Sequence, residues 1–307
     1  MRGRPGPPAE NAGELPGGGE GADIAGLLSR AQAELGARGL PTPGLDAELL
    51  LAAVLGVERA RLRVEPDIAV PRERREAFQR LLAERRSGRP VAYLLGEWEF
   101  YGVPLTITPA VLVPRPETEL LVDWACELLS GRMGSLRIAE VGTGSGCVSI
   151  AIALELPGAE IHATDISPDA LDVAAANVRR HHLQDRIHLH EGDLLDPLSG
   201  LFDLILCNPP YVARGDPRID PDVATHEPDV ALFDHLDGDG LGTHRRLALG
   251  AGGILSDSGS LLVEVAEDQA AAARDLFQAA GWRSEVRRDL AGIERALRLH
   301  RAVTARE

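Results

Sequence analysis

Lysine is absent from this 307-residue chain, and all 32 basic residues are arginine. Alanine, glycine and proline are abundant alongside arginine, so the absence reflects genome composition and points to no function. Cysteine is scarce: Cys126, Cys147 and Cys207 lie far apart and form no Cys-x-x-Cys pair. That excludes a disulfide framework and a cysteine zinc site, and fits a reducing compartment. The nine histidines form no His-x-x-x-His pattern, and the pair His181-His182 falls at a predicted helix end, where a solvated terminus accounts for it. No metal ligand is assigned. No apolar run reaches the ~18 residues that span a bilayer, and the N-terminus lacks the apolar centre of a signal peptide. A cytoplasmic protein without membrane association is expected, with a monomer as the default. Positive charge is also in deficit, 32 basic against 47 acidic residues for a net charge of −15. Tracking a phosphate backbone takes clustered positive charge, so direct nucleic-acid binding is not expected.

What is present is enough apolar side chain, 44% of residues, for one large or two smaller domains. Residues 1–22 hold seven glycines and four prolines and almost no large apolar group. Such a segment cannot offset its ordering entropy, so a disordered extension is expected. From Asp23 the character changes. Ile24, Leu27, Leu28 and Ala31 recur at helical spacing. A second helix is predicted from Leu45 to Leu55, with Asp46 and Glu48 in its first turn and Gly56 at its end. A third runs from Pro71 to Arg86, with Phe78, Leu81 and Leu82 on one face. Residues 57–90 carry ten arginines against six acids. A solvated helix face accounts for that patch, and docking of an acidic macromolecule is the alternative.

A helical domain is therefore expected over 23–91, a connecting hairpin over 92–113 and a larger domain over 114–303. In the connector, Trp98–Val103 and Leu105–Ile107 read as short strands, with Gly102 and Pro104 near the turn. After it, a helix is predicted from Glu117 to Leu129. Strands are predicted at 136–141, 160–165, 186–190, 202–207 and 259–265, and helices at 146–156, 168–181, 240–250 and 267–280. A final antiparallel pair is predicted near 283–288 and 294–300. This alternation implies a mostly parallel sheet with helices on both faces.

Two segments carry chemistry. The run Leu136–Val141 ends in Gly142-Thr143-Gly144-Ser145-Gly146, followed by an apolar helix. Glycines there let backbone approach a ligand and turn sharply into a helix. Cys147 stands where a dinucleotide fingerprint has its third glycine, and Asp165 ends the next strand nineteen residues beyond Gly146. An acid there can accept hydrogen bonds from two ribose hydroxyls. S-adenosylmethionine has that ribose and no pyrophosphate. After the third strand, Asp193 is placed to hold an adenine amino group and Leu194 to pack on the ring.

The second segment is Asn208-Pro209-Pro210-Tyr211, after the apolar run Phe202–Cys207. Neither Pro209 nor Pro210 can donate to a strand ladder, so the chain leaves the sheet in a stiff turn. Asn208 is left at the carboxyl end of a buried strand, where open α/β sheets bind ligands. The Asn208 side-chain oxygen and the Pro209 carbonyl can accept both hydrogens of a flat NH2 group, and Tyr211 can pack against it. A nucleotide-like loop and an amide-gripping turn together point to methyl transfer to nitrogen.

On these residues the chain resembles bacterial release-factor glutamine methyltransferases, the PrmC/HemK family, from about Ile24 to His300. The most specific matches are Val113-Pro114-Arg115-Pro116-Glu117-Thr118-Glu119, the Gly142–Gly146 loop and Asn208-Pro209-Pro210-Tyr211. Glu227-Pro228, Asp239-Gly240-Leu241 and Asp289–Gly292 add weaker support, and Gly96–Gly102 looks like the family's interdomain hairpin. The resemblance implies a Rossmann-like class I methyltransferase domain with a seven-stranded sheet, preceded by a small helical bundle that helps dock the substrate protein. It implies S-adenosylmethionine as methyl donor, held by Glu140, Gly142, Thr143, Gly144, Ser145, Gly146, Asp165, Ile166, Asp193, Leu194 and Asn208. The acceptor it implies is the glutamine of the Gly-Gly-Gln loop in class-1 peptide chain release factors. That glutamine would be held by Asn208, Pro209, Pro210 and Tyr211, with Arg115 and Glu117 in a segment that closes the site. Two departures bear on geometry. Glu140 stands where the family has Asp, so its contact to the methionine amino group is expected to be rearranged or water-mediated, and Ala266 replaces a glycine.

Three other readings share parts of this pattern: methylation of a ribosomal-protein glutamine, methylation of a DNA base amine, and a cofactor-binding module without catalysis. A DNA enzyme must extrude its base and grip phosphates, which the negative charge opposes. An intact Asn208 turn opposes the non-catalytic reading.

Overall fold

The computed structural model describes residues 23–132 and 134–301, so the extension at 1–22 lies outside the described residues. The chain divides into two compact units, the first ending at Leu95 and the second beginning at Gly96.

The first unit contains α1 (Ile24–Ala37), α2 (Pro43–Leu55), α3 (Arg59–Val64), α4 (Arg72–Arg86) and α5 (Val91–Leu95). Asp23 starts α1, its Oδ1 accepting from Gly26 N at 2.7 Å, which satisfies one of the orphan donors of a first turn. Gly56 ends α2 in the left-handed conformation, as a helix stop requires. The core is built from Leu27, Leu35, Leu50, Leu51, Phe78 and Leu82. One ion pair is enclosed with them. Arg85 Nε donates to Asp46 Oδ2 at 2.7 Å, Thr42 Oγ1 donates to Asp46 Oδ1 at 2.8 Å, and Arg85 Nη1 also reaches the carbonyls of Gly88 and Arg89. Much of the arginine patch is likewise paired inside this unit, as Arg61–Glu65, Arg63–Glu48, Arg72–Glu76, Arg86–Glu34 and Arg89–Glu84. Both α3 and α5 go beyond the sequence reading. At six and five residues they are too short to display a helical period.

The second unit opens with a hairpin of β1 (Glu97–Phe100) and β2 (Val103–Thr106). Tyr101 and Gly102 form its two-residue turn with φ of 53° and 69°, the primed geometry that suits strand twist. Pro104, near the turn as expected, lies within β2 opposite Glu99. The remaining elements are α6 (Glu119–Leu129), β3 (Leu136–Val141), α7 (Cys147–Glu155), β4 (Ala159–Asp165), α8 (Pro168–Arg180), β5 (Ile187–Glu191), β6 (Phe202–Cys207), α9 (Pro221–His226), α10 (Asp229–Leu232), α11 (Gly242–Gly250), β7 (Leu255–Glu264), α12 (Ala270–Ala279), β8 (Trp282–Arg288) and β9 (Glu294–Arg301). A 3₁₀ turn over Pro116–Thr118 precedes α6, where the sequence reading began the helix at Glu117. Proline at the first turn position allows either form.

The large sheet has seven strands in the order β5-β4-β3-β6-β7-β9-β8, and only β9 runs against the others. Strand β7 begins at Leu255, earlier than the sequence suggests, because Leu255 pairs with Phe202 before a register shift. Helices α11 and α12, the latter through Phe277, close one face over Ala139, Val141, Ile205, Leu261 and Val263. The opposite face receives α6, α7 and α8. The strand order reverses between β3 and β6, both of which are buried. Ligands of open α/β sheets bind outside the carboxyl ends of strands at such a switch point, and here those ends carry Gly142 and Asn208.

Candidate active site

Glycine is required just past β3. Gly142, Gly144 and Gly146 have φ of 72°, 54° and 80°, a region that costs a residue with a Cβ steric energy. The turn they make lets Gly142 N and Thr143 N both donate to Thr164 O at 2.9 Å, and it delivers the chain into α7. The loop is braced from behind by Asn177, fully buried on α8. Its Nδ2 donates to Ser145 O at 2.9 Å and to Thr106 O at 2.9 Å, while its Oδ1 accepts from Thr106 N at 2.7 Å. One side chain thus ties the hairpin to the glycine loop.

Acidic groups flank the loop. Glu140, at the end of β3, accepts from Thr143 Oγ1 at 2.7 Å, from Ser149 N at 3.1 Å and from the Ser149 hydroxyl, all at Oε2. Its Oε1 is therefore the atom able to meet a ligand. Burial pushes this carboxyl up to about 7, against the opposing hydrogen bonds from Ser149 and Thr143. Asp165, at the end of β4, accepts from Gly144 N at 2.8 Å and Ser167 N at 2.9 Å, and burial raises its pKa as well. Asp193 follows β5, and both of its oxygens are held by Arg246 Nη1, at 2.9 and 2.8 Å. Leu194 packs partly buried against the core cluster, and Ile166 is 55% exposed.

These groups surround a cavity of about 260 Å³. Glu140, Gly142–Ser145, Asp165, Ile166, Asp193, Leu194, Asn208, Pro210 and Arg115 all line it. A second cavity of about 170 Å³ is lined by Pro209, Tyr211 and Val212. The two share Leu112, Arg115, Asn208 and Ala231 as a common wall. Asn208 thus faces both spaces. Gly146 lies outside these linings, packed beneath the loop against Ala174. Glu117 is exposed and lines neither space. Its neighbour Thr118, part of the same matched segment but given no site role from sequence, is buried and lines the larger cavity. Arg115 Nη2 donates to the buried Glu227 Oε1 at 2.5 Å, and Glu227 Oε2 accepts from Val113 N at 3.0 Å. That pair fixes the Val113–Thr118 segment across the site.

The Asn208-Pro209-Pro210-Tyr211 turn is held at both ends. Asn208 Nδ2 donates to Thr118 Oγ1 at 3.1 Å, and Tyr211 OH donates to Glu264 Oε1 at 3.3 Å. The Tyr211 carbonyl accepts from Gln269 Nε2 at 2.9 Å. Burial, with Glu264 nearby, raises the Tyr211 hydroxyl pKa, and burial pushes Glu264 itself up to about 7. Gln269 and Glu264 were not singled out from sequence, although Glu264 carries the same signal as Asp165, an acid closing a buried strand. Ala266 meets the same group, its N donating to Gln269 Oε1 at 3.3 Å.

Gly240 has a direct reason to be glycine here. Its φ is 79°, and a Cβ would lie 2.2 Å from Tyr211 O and 2.4 Å from Gln269 Nε2. Gly240→Ala is expected to displace the turn and cut turnover at least ~10-fold, while thermal melting falls by several degrees, since such strain costs on the order of 1–3 kcal/mol. Steady-state kinetics beside a melting curve check this.

Comparison with known proteins agrees with this architecture. Residues 26–96 match the PrmC N-terminal domain, and residues 118–225 match the methyltransferase small domain. A release factor glutamine methyltransferase of Bordetella pertussis is 44% identical over 256 residues, covering 82% of this chain and 93% of that protein. Its counterpart in Deinococcus radiodurans is 42% identical over 280 residues, covering 90% and 98%. Among solved structures, the hMettl16 catalytic domain in complex with an RNA hairpin shares the fold, with a TM-score of 0.54 at 18% identity over 73% of this chain and 81% of that one. With relatives this similar along nearly their whole length, the chain belongs to the release factor glutamine methyltransferase family.

Proposed function

We propose that this protein transfers a methyl group from S-adenosylmethionine to the side-chain amide nitrogen of the glutamine in the Gly-Gly-Gln loop of class-1 peptide chain release factors. The observation that carries the reading is Asn208, which forms the wall between two cavities with its Nδ2 already committed to Thr118. Its Oδ1 is left to accept from a neutral NH2 group.

The residues of the larger cavity suit the donor. Asp165 stands at the strand end where a ribose diol is held, Ile166 offers an open apolar surface, and Glu140 Oε1 suits an ammonium group. When bound, S-adenosylmethionine supplies an electrophilic methyl on a sulfonium sulfur. Asp193 is paired with Arg246, so its part in holding adenine is shared with that guanidinium.

An amide nitrogen is a poor nucleophile because its lone pair is delocalised into the carbonyl. Asn208 Oδ1 and the Pro209 carbonyl accept the two amide hydrogens and favour a geometry in which the lone pair faces the methyl. Tyr211 packs on the amide plane. No strong base is needed. Orientation alone accounts for ~7–11 kcal/mol in well-aligned reactions, and the proton leaves to water after transfer. The first unit, which matches the PrmC N-terminal domain, is the proposed dock for the release factor. Because the acceptor is a translation factor, the reaction belongs in the cytoplasm.

A release factor incubated with the protein and S-adenosylmethionine, then digested and analysed by mass spectrometry, tests this. One added methyl on the Gly-Gly-Gln glutamine, absent when that glutamine is alanine, is the expected result. No methyl despite confirmed cofactor binding would discard this substrate and turn attention to ribosomal proteins.

Cofactor affinity should also depend on pH. A cationic group at Glu140 needs the carboxylate, yet burial keeps this group protonated below about 7. Affinity should therefore fall up to ~10-fold per pH unit below that value and level off above it. Calorimetry on Glu140→Gln, which has no proton to lose, should show that dependence flattened.

A further inference from the structure

Glu264 ends β7 with only 2% of its surface exposed. Two hydroxyls point at it: Thr118 Oγ1 donates to Oε2 at 2.8 Å, and Tyr211 OH donates to Oε1 at 3.3 Å. Thr118 Oγ1 in turn accepts from Asn208 Nδ2 at 3.1 Å. With Glu264 ionised, above the value of about 7 to which burial pushes it, donor count fixes the direction of this chain. An ionised carboxylate only accepts, and a threonine hydroxyl has one hydrogen. With that hydrogen spent on Glu264, Thr118 presents lone pairs to Asn208. Asn208 must answer with its NH2, because the flipped amide would set oxygen against oxygen. The carbonyl oxygen is then the end turned away from Thr118.

We propose that Thr118 and Glu264 are positioning residues that fix the amide orientation of Asn208, so that Asn208 offers the substrate side chain a hydrogen-bond acceptor and never a donor. The consequence is selectivity by polarity. A side chain that brings an NH2 group is received, and an isosteric carboxylate, which brings only lone pairs, meets the Asn208 oxygen and is rejected. A buried polar site of this kind discriminates through the group left unpaired. Glu264 also sets the Tyr211 hydroxyl, so both ends of the turn take their orientation from one carboxyl. This inference rests on the reading of the site as a glutamine methyltransferase.

Thr118→Val and Thr118→Ser test it, because valine keeps the shape of threonine without the hydroxyl and serine keeps the hydroxyl without the methyl. Steady-state methylation of a release factor and calorimetric binding of S-adenosylmethionine are measured for each. The expected result is a kcat lower by ~10–100-fold in Thr118→Val, with KM for the release factor and cofactor affinity within about 3-fold, and recovery to within about 3-fold of the parent kcat in Thr118→Ser. A merely structural threonine would not give that split, nor that rescue. An unchanged kcat in Thr118→Val, or equal impairment of the serine variant, would overturn the inference while leaving the substrate assignment standing. A parent protein inactive on release factors would overturn the substrate assignment and this inference with it.

Discussion

Replacing Asn208 with alanine is expected to lower the rate of methyl transfer by ~10²–10³-fold, about 3–4 kcal/mol at the transition state, while S-adenosylmethionine still binds. The separation follows from where Asn208 sits. It contributes one face to the larger cavity, whose other walls come from the glycine loop, Asp165 and the segment after β5. Those groups hold their positions through contacts that do not involve Asn208: Gly144 N on Asp165, Asn177 on Ser145, and Arg246 on Asp193. The smaller cavity has no comparable redundancy, because Asn208 supplies the only side-chain amide among its described lining residues. Single-turnover methylation and direct cofactor binding, measured on the same preparation, separate the two effects. Unchanged methylation would refute the assignment of Asn208. Asn208→Asp is informative in addition. Its carboxylate would face the lone pairs of Thr118, so Thr118 would have to abandon Glu264 to reach it, and activity should not return.

The second large effect concerns stability. Asp46→Ala is expected to destabilise the first unit by about 3–5 kcal/mol, the usual cost of leaving one member of a buried ion pair alone. The Arg85 side chain is 11% exposed and that of Asp46 is 6% exposed, so water cannot replace the lost carboxylate. Carbonyls of Gly88 and Arg89 would remain on the guanidinium, but they do not neutralise it. Chemical denaturation of the full chain should show an early transition moved to lower denaturant. The double variant Asp46→Ala with Arg85→Met should recover much of the loss, because no charge is then buried. A double variant as unstable as the sum of its parts would show that the packing of the two side chains, and not the charge, is what matters.

Local grammar made much of the fold legible. Phe202–Cys207 is a strand because six residues with a buried core of Leu204, Ile205 and Leu206 stop at two prolines. Cys147–Glu155 is a helix because an apolar run of that length follows a glycine turn. The short helices were not legible, for a physical reason. No residue of Pro221–His226 is buried, so that helix has no apolar stripe to repeat. Its partner Asp229–Leu232 is a single turn.

The sequence by itself determined the chemistry-bearing turns, because each is set by the backbone freedom of its own residues: the glycines at 142, 144 and 146, and the prolines at 209 and 210. Tertiary structure alone decided which groups stand behind those turns. Thr118 and Glu264 are 146 positions apart, Asn208 and Thr118 are 90 apart, and Asp193 and Arg246 are 53 apart. Nothing local links such pairs. They meet because parallel strands with helical crossovers bring distant strand ends to one edge of the sheet. There, buried polar groups must find partners or forfeit stability. Hence the residue proposed to grip the substrate could be named from four letters of sequence, whereas the proposed orientation of its amide belongs to a carboxylate at the end of the neighbouring strand.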